Sequence, residues 1–251
     1  MKIRIKFRKY GTMKFIGHLD VMRYFQKAIR RADVDVCYSG GFSPHQIMSF
    51  AAPLGVGITS RGEYVDIEVA STKDSETMKK CLNGVMSEGF EIVSYRGLPD
   101  DAANAMSIVG AGDYTLAFRP GYEPEDMDKE TWFQGLIAFF ERPSVMVTKK
   151  TKRGEKEMDL KPLVYELRIC PEGDGEMEGP RLFMKISAGS AANVKPEQVL
   201  DAYYGFLGKE RPACAFIVQR EEVYADRASD AEKEAGINSF FSLEQLGEEI
   251  R

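Results

Sequence analysis

Histidine and cysteine are scarce in this 251-residue chain, and their scarcity excludes whole classes of chemistry. Two histidines, His18 and His45, are too few for a His-rich metal site. The four cysteines, Cys37, Cys81, Cys170 and Cys214, include no C-x-x-C pair, so neither a zinc finger nor an iron–sulfur ligand set is encoded. Three of them sit among apolar neighbours and read as core thiols. No apolar run approaches the roughly 20 residues of a membrane helix. The start, Met1-Lys2-Ile3-Arg4-Ile5-Lys6, alternates charge with apolar side chains and lacks the apolar stretch of a signal peptide. No G-x-x-x-x-G-K-[ST] loop is present, and Gly55-x-Gly57 is too short for a dinucleotide fingerprint. These absences predict a cytoplasmic protein with no membrane segment, no metal and no cofactor of its own.

Acidic residues are scarce too, at one end only. Asp20 is the sole carboxylate among residues 1–31, against Lys2, Arg4, Lys6, Arg8, Lys9, Lys14, Arg23, Lys27, Arg30 and Arg31. The whole chain nevertheless carries a formal net charge of -5. Such asymmetry suits a polyanion-binding face, because clustered cations displace the counterions around phosphates while the acidic remainder repels them.

Periodicity gives the order of elements. Residues 2–8 alternate as a half-buried strand. From 18 to 31 the period becomes helical. Leu19, Met22, Phe25 (or Gln26) and Ile29 fall on one side, and Arg23, Lys27 and Arg31 form a basic stripe on another. Strands are expected at 34–38, 47–51 (a short one), 63–69 and 90–95 and a helix at 75–87, an order read as β-α-β-β-α-β with one short strand more than that pattern holds. A connector at 97–107 follows. The order then returns, with strands at 113–119, 145–150, 163–169, 181–187 and 215–220 and helices at 129–141 and 196–207. Trp132, Phe133, Leu136, Ile137 and Phe140 are core positions of the first of those helices. The fold class predicted is α+β, two tandem ferredoxin-like (βαββαβ) modules. They occupy residues 1–98 and 107–222. Residues 223–251 form an acidic tail whose Phe240, Phe241, Leu243 and Leu246 suggest a short docking helix.

The segment Gly17-His18-Leu19-Asp20-Val21-Met22-Arg23, with Ala28-Ile29-Arg30-Arg31-Ala32, is followed by Tyr38-Ser39-Gly40-Gly41-Phe42-Ser43-Pro44-His45 and then Leu54-Gly55-Val56-Gly57 with Gly62-Glu63-Tyr64. These blocks resemble the bacterial radical-SAM-linked protein family, also catalogued as a domain of unknown function. The resemblance covers the first hundred residues well and continues through Asp159-Leu160-Lys161-Pro162 and Lys195-Pro196-Glu197-Gln198-Val199-Leu200. It implies a bacterial protein encoded beside, or fused to, a radical SAM enzyme as its partner. The chain departs from the family pattern at Gly17, where serine is commoner. It departs again at Gln46-Ile47, where Pro-Lys is typical, which removes a cation from the loop after His45.

The residues themselves offer several sites. Lys2, Arg4, Lys6 and Arg8 could track a phosphate backbone from one strand face. Asp66 and Glu68 on the neighbouring strand could equally pair with them. The stripe Arg23, Lys27 and Arg31 shares their sign. Gly40 and Gly41 allow close backbone approach, with Phe42 available to stack on a base. Lys149, Lys150, Lys152 and Arg153 read as a basic hairpin tip. His18 and His45 serve either as local hydrogen-bonding groups, the favoured reading, or as a general acid and base if they meet in space. The expected function is a non-catalytic accessory protein that presents RNA, such as tRNA or rRNA, to a radical SAM partner. Two alternatives stand beside it. One is a metal-independent endoribonuclease resembling CRISPR RNA-processing enzymes; the other is an interaction module for an acidic protein.

Overall fold

Alternation in the first strand orders everything around it: Ile3, Ile5 and Phe7 are buried together on the face that a helix covers. A computed structural model describes residues 1–151, 154–170, 173, 177–189 and 192–251, except for the side chains at 149–151, 155, 156, 230 and 234. The chain runs through β1 (Lys2–Lys9), α1 (His18–Arg31), β2 (Met48–Phe50), β3 (Thr59–Glu68), α2 (Ser75–Asn83), β4 (Phe90–Leu98) and α3 (Ala105–Ile108). It continues with β5 (Val109–Phe118), α4 (Lys129–Phe140), β6 (Met146–Thr151), β7 (Gly154–Asp159), β8 (Val164–Cys170), β9 (Arg181–Ser187) and α5 (Pro196–Phe206). The last elements are β10 (Phe216–Asp226), α6 (Asp230–Glu234), β11 (Phe240–Ser242) and β12 (Glu248–Glu249). This is an α+β protein. No helix among the described residues is long and apolar enough to cross a membrane.

Two compact units divide the chain, Met1–Gly110 together with Arg220–Arg251, and Ala111–Gln219. The sequence places its first division at 99–107 and its second at 222. The bounds of the compact units fall inside β5 and β10. Both strands are longer than their apolar alternation indicated.

In the first unit the strands lie in the order β12-β4-β1-β3-β10, with β2 also on β3 and β11 on β10. The pairs β1/β3, β1/β4 and β2/β3 are antiparallel. Helix α1 buries Val21, Phe25, Ala28 and Ile29. Leu19 stays exposed, because the buried stripe runs through Val21, one turn before Phe25. Phe7 and Phe25 meet with ring centroids 4.5 Å apart, and Tyr24 stacks on Phe90 at 4.6 Å. Asp74 caps α2 by accepting from Thr77 N, and the helix stops before Gly84 rather than reaching Ser87. Of the four C-terminal apolar residues, Leu243 and Leu246 lie in a short 3-10 helix, and Phe240 and Phe241 lie in a strand, β11, before it. Leu243 opens that 3-10 turn and is fully buried.

The second unit pairs β5 with β9 and β9 with β8, all antiparallel, while Phe216 at the start of β10 sits 4.5 Å from Phe118 of β5. Its core is aromatic: Trp132 and Phe133 of α4 pack on Phe118, and Trp132 also meets Phe216 and Tyr203 of α5. Strands β6 and β7 form a separate two-stranded sheet. Pattern reading misses β7, since Glu155-Lys156-Glu157-Met158-Asp159 offers Met158 as its sole apolar residue.

Candidate nucleic-acid interface

Arg4, Lys6 and Arg8 of the basic strand are each paired with carboxylates. Antiparallel register sets Arg4 opposite Asp66 and Lys2 opposite Glu68. The Arg4 side chain, 2% exposed, clamps Asp66 through Nε to Oδ1 at 2.8 Å and Nη2 to Oδ2 at 2.9 Å. Its Nη1 also donates to the Leu243 carbonyl at 3.3 Å. Such a two-pronged pair is strong because the planar guanidinium matches the carboxylate. Lys6 donates to Glu222 at 2.7 Å and Glu244 at 2.9 Å. Burial works against its charge, but the two carboxylates outweigh that and hold its pKa above the ordinary lysine value. The Tyr64 hydroxyl donates to the other oxygen of Glu222 at 2.6 Å. Burial, reinforced by Glu222, pushes that phenol far above its usual range. Arg8 pairs with Glu91 at 3.0 Å, with both side chains half-exposed. Asp66 is visible as a partner in the sequence. Glu222 and Glu244 are not, because they stand 216 and 238 positions from Lys6 with no pattern that joins them to it.

A second buried charge group lies at the far end of β1. Arg220 donates to both oxygens of Glu63, at 3.0 and 3.1 Å, and to the Ala52 carbonyl at 3.2 Å. Lys9 donates to the Ile16 carbonyl at 3.0 Å. Burial raises the pKa of Glu63 despite Arg220, and lowers that of Lys9. His18 meets the Phe50 ring edge-on at 5.4 Å, and burial followed by the Lys9 charge lowers its pKa. Lys9, His18 and Glu63 border a cavity of about 10 Å³, no larger than a water site.

Helix α1 differs from β1. Arg23, Lys27, Arg30 and Arg31 are all exposed. Arg23 approaches Asp20 only to 3.6 Å, with both side chains largely in solvent, a contact of little energetic weight. Among the described residues Lys27 has no ion-pair partner. Arg30 donates to the Gln26 carbonyl at 3.2 Å, and Arg31 to the Val85 carbonyl at 3.0 Å while lying over the Tyr24 ring. The loop carrying Gly40, Gly41 and Phe42 is tied to this helix, because Gln46 Nε2 donates to the same Gln26 carbonyl at 3.3 Å. Gly41 has φ 98°, which favours glycine, and Phe42 projects fully into solvent. At the foot of the loop Ser39 N donates to the His45 carbonyl at 2.8 Å, and His45 N donates to Ser39 Oγ at 3.1 Å. The same hydroxyl meets His45 Nδ1 at 2.8 Å.

The two histidines therefore occupy different places. His18 borders the small cavity. His45 borders a larger one of about 430 Å³, whose wall also includes Lys2, Glu68 and Asn104. Lys149 and Lys150 lie in β6, and their side chains, like all of Lys152 and Arg153, lie outside the described residues. No group of three or more His, Cys, Asp or Glu among the described residues is placed to hold a metal ion.

A family model described as an uncharacterised protein conserved in bacteria (DUF2344) matches residues 2–196. Among curated proteins, none matches the chain.

Proposed function

This chain belongs to that uncharacterised bacterial family, and from this premise we propose that it holds RNA against helix α1 and the Gly40-Gly41-Phe42 loop of its first unit. The observation carrying this reading is the juxtaposition of solvent-exposed, weakly paired or unpaired cations with an exposed aromatic ring. Arg23, Lys27 and Arg30 face solvent beside a loop that Gln46 pins to the same helix. Cations without carboxylate partners are the ones that release counterions from a phosphate backbone. A projecting phenylalanine can stack on an unpaired base. The protein acts as a non-catalytic accessory, with tRNA or rRNA as the substrate class. The resemblance carried by residues 17–32, 38–45 and 54–64 supports a radical SAM enzyme as the partner that receives it. We also infer a ferredoxin-like module in each unit. The order β4-β1-β3-β2 supports the first, and β10-β5-β9-β8, with the β6/β7 hairpin as an insertion, supports the second.

Fluorescence anisotropy with single-stranded and hairpin RNA across a salt series tests the reading. Log affinity should fall with log salt by roughly 0.7 per phosphate contacted. Reversing Arg23, Lys27 and Arg30 to Glu should weaken binding and flatten the slope by about 2, on the same scale. Reversing the exposed Lys73 and Lys80 is the control. Wild-type affinity and slope in the triple variant would remove the helix from the function.

One observation favours a second reading. Phe15, just before α1, and Leu19, one turn before Arg23, are each 64% exposed, apolar side chains near the basic stripe in the sequence. An acidic protein partner would use both. Tighter binding of an acidic, leucine-rich peptide than of RNA, abolished by Leu19→Ser, would favour that reading.

A further inference from the structure

The cavity beside His45 has a wall whose chemistry is not satisfied by the protein. Lys2 and Glu68 are direct partners across the β1/β3 ladder, so their side chains leave the sheet side by side on one face. Opposite charges so placed normally pair. Here Lys2 Nζ instead donates to the Ala102 carbonyl at 2.8 Å, and the Glu68 carboxylate makes no ion pair or hydrogen bond among the described residues. An ammonium with N–H groups to spare therefore stands beside an unoccupied carboxylate, and both border a cavity of about 430 Å³. That volume lies within the roughly 300–1,000 Å³ of small-molecule sites.

The remaining wall restricts what fits. Asn104 Oδ1 accepts from Ser49 Oγ at 3.0 Å and from Met106 N at 2.9 Å. Two donors on one oxygen fix which way the amide points and leave its Nδ2 protons available. Met48, Ile47 and Leu98 supply apolar surface for a flat ring. Ser39 and His45, the foot of the loop that carries Phe42, close another side, so the cavity adjoins the proposed RNA track within the same unit.

We propose that this pocket receives a guanine base from the bound RNA, a proposal that rests on the RNA reading. Guanine presents one acceptor, O6, next to two adjacent donors, N1–H and N2–H2. Lys2 would donate to O6, and the Glu68 carboxylate would accept both N–H groups. Adenine and cytosine offer the carboxylate one donor group each on that edge, and uracil offers its single N–H between two acceptors. The pocket thereby ranks guanine first and uracil last.

Nucleoside monophosphates titrated into the full chain, followed by NMR or calorimetry, give the test. GMP should bind more tightly than AMP and CMP, and UMP weakest. Inosine monophosphate, which lacks only the N2 amino group, should bind about tenfold or more weakly than GMP, as expected for one lost hydrogen bond to a charged group. In Glu68→Gln that GMP-to-IMP ratio should collapse toward one. The ratio is internal to each variant, so it does not depend on equal stability. Equal affinity for all four monophosphates, an unchanged ratio in Glu68→Gln, or no GMP binding would each overturn the proposal. RNA that binds with its salt slope intact but without guanine preference would sink the pocket and spare the helix. Loss of RNA binding from the wild type would sink both.

Discussion

Strand β1 and helix α1 carry similar numbers of cations within the first 31 residues, yet the structure puts them to opposite uses. On β1, Arg4 is clamped by Asp66 and Lys6 lies between Glu222 and Glu244, and both are nearly removed from solvent. On α1, Arg23, Lys27 and Arg30 face water with little to neutralise them. The difference follows from geometry. A central strand has neighbours on both sides at about 5 Å, and each can present a carboxylate in register. A helix lying on a sheet keeps one face free. A run of basic residues in a sequence thus reports composition, while the element each residue falls on decides whether it is structural or available.

The sharpest way to break this comparison is to remove a strand cation. Arg4→Ala strands Asp66 in the interior and should destabilise the first unit by about 3–5 kcal/mol, as for other buried pairs that lose one partner. Replacing both, as Arg4→Met with Asp66→Leu, should recover most of that loss. Urea unfolding measures both, and a loss below about 1 kcal/mol in the single variant would make the strand pair as dispensable as a surface contact.

Phe42→Ala should leave melting unchanged while weakening RNA binding by about 1–3 kcal/mol, the range for loss of a stacked base. An effect on melting instead would assign the ring to the fold.

The pH dependence of stability should be smaller and should report the strand alone. Burial opposes the charge of Glu244, but hydrogen bonds from Lys6 and Ser94 and the charges of Lys6 and Arg96 hold its carboxyl below the ordinary value of 4.5. Its contribution is therefore complete above that value and disappears as the pH falls through the depressed one. Lys6, raised above 10.5, contributes fully below that value and loses its contribution as the pH climbs through the raised one. The stability difference between wild type and Glu244→Gln should be flat around neutrality and shrink in acid. A difference that grows in acid would contradict the pairing.

The smallest effect expected is that of Lys27→Glu on folding, within about 0.5 kcal/mol. A larger loss would show that the helix stripe is structural after all.

Much of the secondary structure is legible without coordinates. The bounds of α1 coincide with the helical period, and β1 and β9 fall where they are expected to within a residue. What stays hidden is long-range or polar. Strand β7 has too little apolar character to signal itself. The extent of β10 beyond Arg220 is masked because Glu221 and Glu222 interrupt the apolar alternation, although Glu222 completes the Lys6 site. Arg220 and Glu63 give no sign of each other across 157 positions. Among the pocket residues, Asp66 and Glu68 were recognisable as polar-face neighbours of the basic strand. Asn104 lies in a connector whose local sequence says nothing of where it lands.

The distance along the chain between Lys6 and Glu244, 238 positions, has a temporal meaning. At about 5–20 residues added per second, roughly 10 to 50 s separate the synthesis of the two. Arg4 waits equally long for the Leu243 carbonyl. Sheet pairing between β1, β3 and β4 can form early from local segments, but the last strand and turn of the same unit arrive only at the end. During that interval the growing chain displays the basic strand that its finished form conceals.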